Sequence, residues 1–203
     1  MKIYIDFDGT LFNNSKHYKK LITILKKYNI QEEYINNLIK NKHYKNIDNL
    51  AKEIKINKNL DKSILKEIDT IYSNDLIYKD IIPFLEKYHN QYDLILLTLG
   101  TKKYQLKKIK SSNISKYFKE IIITNKDKSL LNIDYQNSIF IDNNPHELKK
   151  FHNSKVKYLI RIKRKNDKYS KINLDINDIP EFIDFNELLE SKYIEKIGEK
   201  NYE

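Results

Sequence analysis

Two periodicities divide the chain. Residues Lys2 to Phe7 carry a short apolar run (Ile3, Tyr4, Ile5, Phe7) that ends in Asp8-Gly9-Thr10, the pattern of a buried strand closing in an acidic turn. From Ser15 to about Asn74 the apolar residues instead recur at three or four positions: Tyr18, Leu21, Leu25 and Tyr28, then Tyr34 and Leu38, Leu50 and Ile54, and finally Ile64, Leu65, Ile68, Ile71 and Tyr72. That spacing lays one stripe along a helix. The polar separators Asn29–Gln31, Asn41–Asn46 and Asn57–Asp61 are turn-length, so the segment reads as a block of helices.

After Pro83 the pattern alternates. Helices are expected over 83–90, 102–111, 127–133 and 145–152, and strands over 93–98, 120–124, 138–142 and 155–162. Strands and helices in turn predict βαβ crossovers, hence an α/β fold with a Rossmann-like, mostly parallel sheet and helices on both faces. Leu94-Ile95-Leu96-Leu97 and Ile121-Ile122-Ile123 lack period two, as central strands covered on both sides do. Asn166–Lys171 reads as a polar loop. A final helix is expected over 185–197, with Asp184 and Glu187 as a capping box and Gly198 after its end. The expected organisation is a core of residues 1–14 and 76–203 interrupted by an inserted helical domain, 15–75.

Composition narrows the chemistry. At 203 residues the chain allows one domain and a modest insertion. Its apolar runs fall far short of the roughly 20 residues that span a bilayer, so no membrane partner is expected. The absence of cysteine removes thiolate metal sites and a cysteine nucleophile. Glycines at 9, 100 and 198 alone leave no G-x-G-x-x-G and no Walker A loop. Two acids stand where a leader would need its apolar region, which predicts cytoplasmic residence. The net charge of +10 raises nucleic acid as a partner, but the lysines are scattered and arginine occurs only at 161 and 164, so solvated surface lysine is the favoured reading. The densest basic run is Arg161-Ile162-Lys163-Arg164-Lys165. Nothing bears on oligomeric state.

Ligands of open α/β sheets bind beyond the carboxyl ends of the strands. The residues there are Asp6 and Asp8, Thr98 and Asp142, with Lys128 opening the helix just before the strand that ends in Asp142. Three carboxylates aimed at one crevice suit Mg²⁺, a hard cation that takes carboxylate, water and phosphate oxygens. Three negative charges against Mg²⁺ and Lys128 leave a site able to accept a phosphate dianion.

The run Asp6-Phe7-Asp8-Gly9-Thr10-Leu11, the strand end at Thr98, Lys128 and Ile139-Phe140-Ile141-Asp142 together resemble, in order, the four motifs of the haloacid dehalogenase superfamily. The resemblance covers residues 2 to about 162 and places the insertion where that family carries a helical cap. It implies a Mg²⁺-dependent phosphatase that works through an aspartyl-phosphate on a small phosphorylated metabolite or nucleotide. Asp6 would be the nucleophile, and Asp8 would protonate the leaving alcohol and then activate water. Thr98, Leu99 and Lys128 would hold the substrate phosphate. Asp6, Asp142 and the backbone carbonyl of Asp8 would hold Mg²⁺. Asp8 also sets the chain apart from the dehalogenase members, which lack that second acid, and points to a phosphatase or phosphomutase.

Two features depart from the family pattern. Asn143 follows Asp142 where a second acid is common, leaving Asn143 to hold a metal-bound water or Glu147 to serve from the helix. Lys126 lies two residues before Lys128 and is the alternative site lysine. His146-Glu147 fails as a zinc motif because Lys150 stands four residues on. His17, His43, His89 and His152 show no ligand spacing and read as surface or packing residues. Two other functions compete: a non-catalytic phosphate-binding or regulatory module using the same pocket, and a nucleic-acid 3′-phosphatase supported by net charge alone.

Overall fold

The computed structural model describes residues 1–42, 47–133, 135, 137–154 and 156–199. Among them the sheet has six strands, all parallel, in the order β3-β2-β1-β4-β5-β6. These are β1 (Lys2–Ile5), β2 (Asp93–Leu99), β3 (Glu120–Thr124), β4 (Ser138–Asp142), β5 (Tyr158–Ile162) and the short edge strand β6 (Glu181–Phe182).

Alternate side chains of each central strand feed two different cores, which is why the strands read as unbroken apolar runs. Ile3, Ile5, Leu94, Leu96, Ile139, Ile141, Ile160 and Ile162 pack on one face against Phe84 and Leu85 of α5 (Ile81–Tyr88), Phe185 and Leu188 of α8 (Phe185–Ser191), and Ile194 and Ile197 of α9 (Tyr193–Glu199). Tyr4, Ile95, Leu97, Phe140 and Leu159 pack on the other against Leu148 and Phe151 of α7 (Pro145–Asn153). The remaining crossover helix is α6 (Lys102–Ser112).

Between β1 and α5 lie α1 (Asn14–Lys27), α2 (Glu32–Lys42), α3 (Ile47–Asn57) and α4 (Ser63–Asp69). Their stripes gather into a separate apolar cluster that includes Leu21, Leu25, Ile35, Leu50, Ile54, Ile64 and Ile68. The chain leaves and re-enters the α/β core along paired connections. Asn13 N donates to Leu76 O at 2.7 Å, Tyr78 N donates to Leu11 O at 3.0 Å, and Phe12 bridges Ile77. The expected separator Asn41–Asn46 and His43 lie largely outside the described residues.

Three expectations need correction. No helix forms over 127–133. A single 3₁₀ turn, Lys128–Leu130, is capped by Asp127, after which Leu131 turns extended and packs with Ile133 on the sheet. The C-terminal helix is broken in two because Lys192 adopts the left-handed conformation (φ 52°) that ends α8. Gly198 therefore lies inside α9, and a Cβ there would meet Tyr92 Oη at 3.0 Å. The Asp184–Glu187 cap does form: Glu187 N donates to Asp184 Oδ1 at 2.9 Å.

Candidate active site

The strand order runs outward in both directions from β1, so the crevice between the ends of β1 and β4 is the switch point where an open sheet binds ligands. Asp6, just past β1, is pinned there by its N–H to Ile141 O (2.9 Å). Asp142 ends β4, Thr98 is the penultimate residue of β2, and all three are buried.

Lys128 joins two of them. Its Nζ lies 2.5 Å from Asp6 Oδ1 and 2.9 Å from Asp142 Oδ2, while Lys126 is exposed. Thr10 Oγ1 donates to Asp6 Oδ2 (3.0 Å), and Asn144 N donates to Asp142 Oδ1 (2.8 Å). One ammonium between two carboxylates leaves a net negative charge in a buried place. Burial, then repulsion from Asp142, pushes the Asp6 carboxyl up to about 7 despite Lys128. Burial alone would lower the Lys128 ammonium, but the two carboxylates outweigh it and raise it above the ordinary lysine value.

Asp8 sits differently. Asp8 lines the same cavity as Asp6 and Asp142, but its side chain is engaged by α6. Asp8 Oδ1 pairs with the Lys108 ammonium, and Oδ2 accepts from Gln105 Nε2 at 2.6 Å. With its amide turned so that both ends find partners, Asn14 donates to Asp8 Oδ1 (2.9 Å) and accepts from Gly9 N (3.2 Å). Burial would raise the Asp8 carboxyl, yet Lys108 and Gln105 outweigh it and hold it below the ordinary carboxylate range. Burial pushes the Lys108 ammonium down. Sequence reasoning missed Gln105 and Lys108. Their signal was polar residues at buried positions of a helix, and in Lys102-Lys103-Tyr104-Gln105-Leu106-Lys107-Lys108 one lysine among four does not stand out.

Gly9 is required where it stands. Its φ is +89°, and a Cβ would lie 2.3 Å from Asn143 Nδ2. Asn143 N donates to Thr10 Oγ1 at 3.0 Å, while its Nδ2 is buried without a partner. Thr98 Oγ1 is likewise buried without a partner. Leu99 is 46% exposed beside it.

Among the described residues no three His, Asp or Glu side chains gather as a metal cluster. The donor set at Asp6 and Asp142 nonetheless fits a hard cation. Two carboxylates share one lysine, which leaves negative charge uncompensated there, and the unpartnered Asn143 Nδ2 is a donor that a metal-bound water could accept.

A cavity of about 650 Å³ opens over these groups. The strand ends supply Asp6, Asp8, Thr98, Lys128, Asp142 and Asn143, and Glu147 lines it from α7. His17, Tyr18, Ile39, Ile47 and Leu50 line it from the helical block. His17 is a packing residue, as expected, with its ring 5.2 Å from Phe12 and 4.9 Å from Tyr72, but it also faces the cavity. The basic run after β5 is not a surface patch, since both arginines are buried. Arg161 binds Glu181 and the Tyr169 and Ile172 carbonyls, and Arg164 ties the Thr10 carbonyl to Asp80.

No family model matches the sequence, and no curated protein does. The fold does match solved structures. A haloacid dehalogenase-like hydrolase from Burkholderia xenovorans superposes with a TM-score of 0.72 at 14% identity, covering 93% of this chain and 94% of that one. A haloacid dehalogenase-type phosphatase from Thermococcus onnurineus gives 0.60 at 18%, covering 95% and 98%. A hydrolase of the same type from Bacillus subtilis, bound to magnesium, gives 0.60 at 12%, also covering 95% and 98%. 2-Haloacid dehalogenases match as well. With superpositions that cover 93–95% of it, the chain has the fold of the haloacid dehalogenase-like hydrolases.

Proposed function

We propose that the protein is a Mg²⁺-dependent phosphatase that forms an aspartyl-phosphate on Asp6. The observation that carries this reading is the Asp6–Lys128–Asp142 bridge at the sheet's switch point, with the unpartnered hydroxyl of Thr98 buried beside it.

In this reading the Asp6 carboxylate attacks phosphorus and the bond to the alcohol oxygen breaks. Thr98 Oγ1 donates to a phosphoryl oxygen, which gives its buried hydroxyl the partner it lacks. Lys128 holds the attacking carboxylate and balances charge as the phosphoryl group arrives. Asp8 delivers a proton to the departing oxygen, then takes one from the water that cleaves the acyl phosphate, leaving Asp6 free. The pairing of Asp8 with Lys108 and Gln105 keeps it ionised and so favours the second of these roles. Asp6, Asp142 and the Asp8 carbonyl would hold Mg²⁺, with Asn143 donating to a metal-bound water, and the ion would supply charge neutralisation for the phosphate dianion. The helical block, hung on the paired connections at Asn13 and Leu76 and lining the cavity, would act as a lid.

Asn143 and the occupied oxygens of Asp8 favour one competing reading, a module that binds phosphate without turnover. Hydrolysis of an aryl phosphate by native protein and Asp6→Asn, each titrated with Mg²⁺, separates the two. Turnover that needs Mg²⁺ and Asp6 supports the phosphatase, and phosphate binding without turnover at any Mg²⁺ concentration supports the module.

A further inference from the structure

The two walls of the cavity differ in chemistry, and the difference bears on the alcohol half of the substrate. Charged and amide groups cluster at the strand ends, where the phosphate would sit. The opposite wall is built from Ile39, Ile47 and Leu50 of the helical block together with Tyr18 and, from α6, Tyr104.

Each tyrosine hydroxyl already has one partner. Tyr18 Oη donates to Asn36 Oδ1 at 2.8 Å, and Tyr104 Oη accepts from Ile47 N at 3.5 Å, with its ring edge-on to Tyr72. His17 adds one polar atom, Nε2, which is buried and has no partner. Burial and the nearby Lys108 push that imidazole down to about 3, so it is neutral at physiological pH. Against the described residues of this wall a polyhydroxylated alcohol would exchange several hydrogen bonds to water for fewer, because each buried hydroxyl needs a partner. An aromatic or branched aliphatic group gives up no hydrogen bond there and removes apolar surface from water on both sides.

We infer that the substrate is a phosphate monoester of a compact apolar or aromatic alcohol with few polar groups opposite the phosphate, and not a sugar phosphate. This deepens the phosphatase reading and rests on it.

The test is kcat/KM, at saturating Mg²⁺, for 2-phenylethyl phosphate, glycerol 1-phosphate, glucose 6-phosphate and adenosine 5′-monophosphate. All four carry phosphate on a primary alcohol, so the leaving groups are closely similar and the pocket decides the ranking. The phenylethyl ester should lead by roughly tenfold or more, the discrimination an apolar pocket gives for groups of this size. Ile47→Asn and Ile39→Asn, placed separately on α3 and α2, should each narrow that lead by weakening the phenylethyl ester more than the sugar ester. Equal or better turnover of the glycerol, glucose or nucleotide ester by native protein would overturn the inference while leaving the phosphatase reading in place. Failure to hydrolyse any of the four would defeat the phosphatase reading and the inference with it.

Discussion

Asp6 and Asp8 are the same residue type two positions apart, yet their surroundings drive them in opposite directions. Asp6 is enclosed by strand ends and shares its one cation with Asp142, so burial and repulsion raise it to about 7. Asp8 reaches past the strand end to α6, where a whole lysine and a glutamine amide are devoted to it, and it is lowered. The contrast teaches that a D-x-D motif fixes where two carboxyls start, while the neighbouring elements fix what each can do. A group poised near neutrality is relieved by any arriving cation, and one with two firm partners stays an anion.

Breaking the Asp6 half should have the largest effect. Asp6→Asn should lower turnover by at least about 10³-fold, because it removes the attacking oxygen. It should not lower the thermal midpoint at pH 8, where ionised Asp6 is a strained buried charge. Next is Lys108→Met, which strands Asp8 without its ammonium. Removing one partner of a buried pair typically costs about 3–5 kcal/mol, and the loss here should lie at the low end because the Asp8 side chain is 27% exposed. Denaturant unfolding measures it, and an unchanged midpoint would show that the pair does not hold α6 to the motif turn.

The pH dependence sharpens the comparison further. Asp6 must be ionised to attack, and its carboxyl is raised above the unfolded value of 3.8 to about 7. At low Mg²⁺, kcat/KM should therefore climb as pH rises through about 7, and over the same window below it stability should fall, since the folded state there holds a proton that the unfolded state has lost. Added Mg²⁺ should move the rising limb to lower pH. Asp142→Asn should move it the same way by removing the repelling charge, while raising the Mg²⁺ requirement. The smallest effect should come from Asn143→Asp, which adds an anion beside the site and should tighten Mg²⁺ in the same titration with little loss of turnover. A native protein that is inactive at every Mg²⁺ concentration, with Asn143→Asp gaining activity, would mark a decayed site.

The parallel sheet was legible because unbroken runs such as Leu94–Leu97 need cover on both faces, and two separate cores provide it. The strand-end positions of Asp6, Thr98 and Asp142 follow from that sheet alone. Lys128 was legible as a residue and misjudged as a helix start, since a capped 3₁₀ turn followed by an extended chain has no periodicity to read. Lys108 and Gln105 were hidden for a different reason. Their burial comes from Asp8, about a hundred residues away in sequence, and a local pattern in a lysine-rich helix carries no trace of that partner. β6, two residues long, is below the length at which alternation exists. Arg161 and Arg164 stood out only as part of the densest basic run because nothing local reveals that Thr10, Asp80 and Glu181 await them.

The division of labour between the two carboxyls is tested most directly by trapping the phosphorylated protein. Asp8→Asn loses the group that activates water and keeps the nucleophile, so an acid-quenched mixture of this variant, Mg²⁺ and an aryl phosphate should accumulate the intermediate. Peptide mass spectrometry should find one added phosphoryl group, on Asp6, sensitive to hydroxylamine as an acyl phosphate is. A phosphoryl group on any other residue, or burst-free turnover by Asp8→Asn at the native rate, would contradict the assignment.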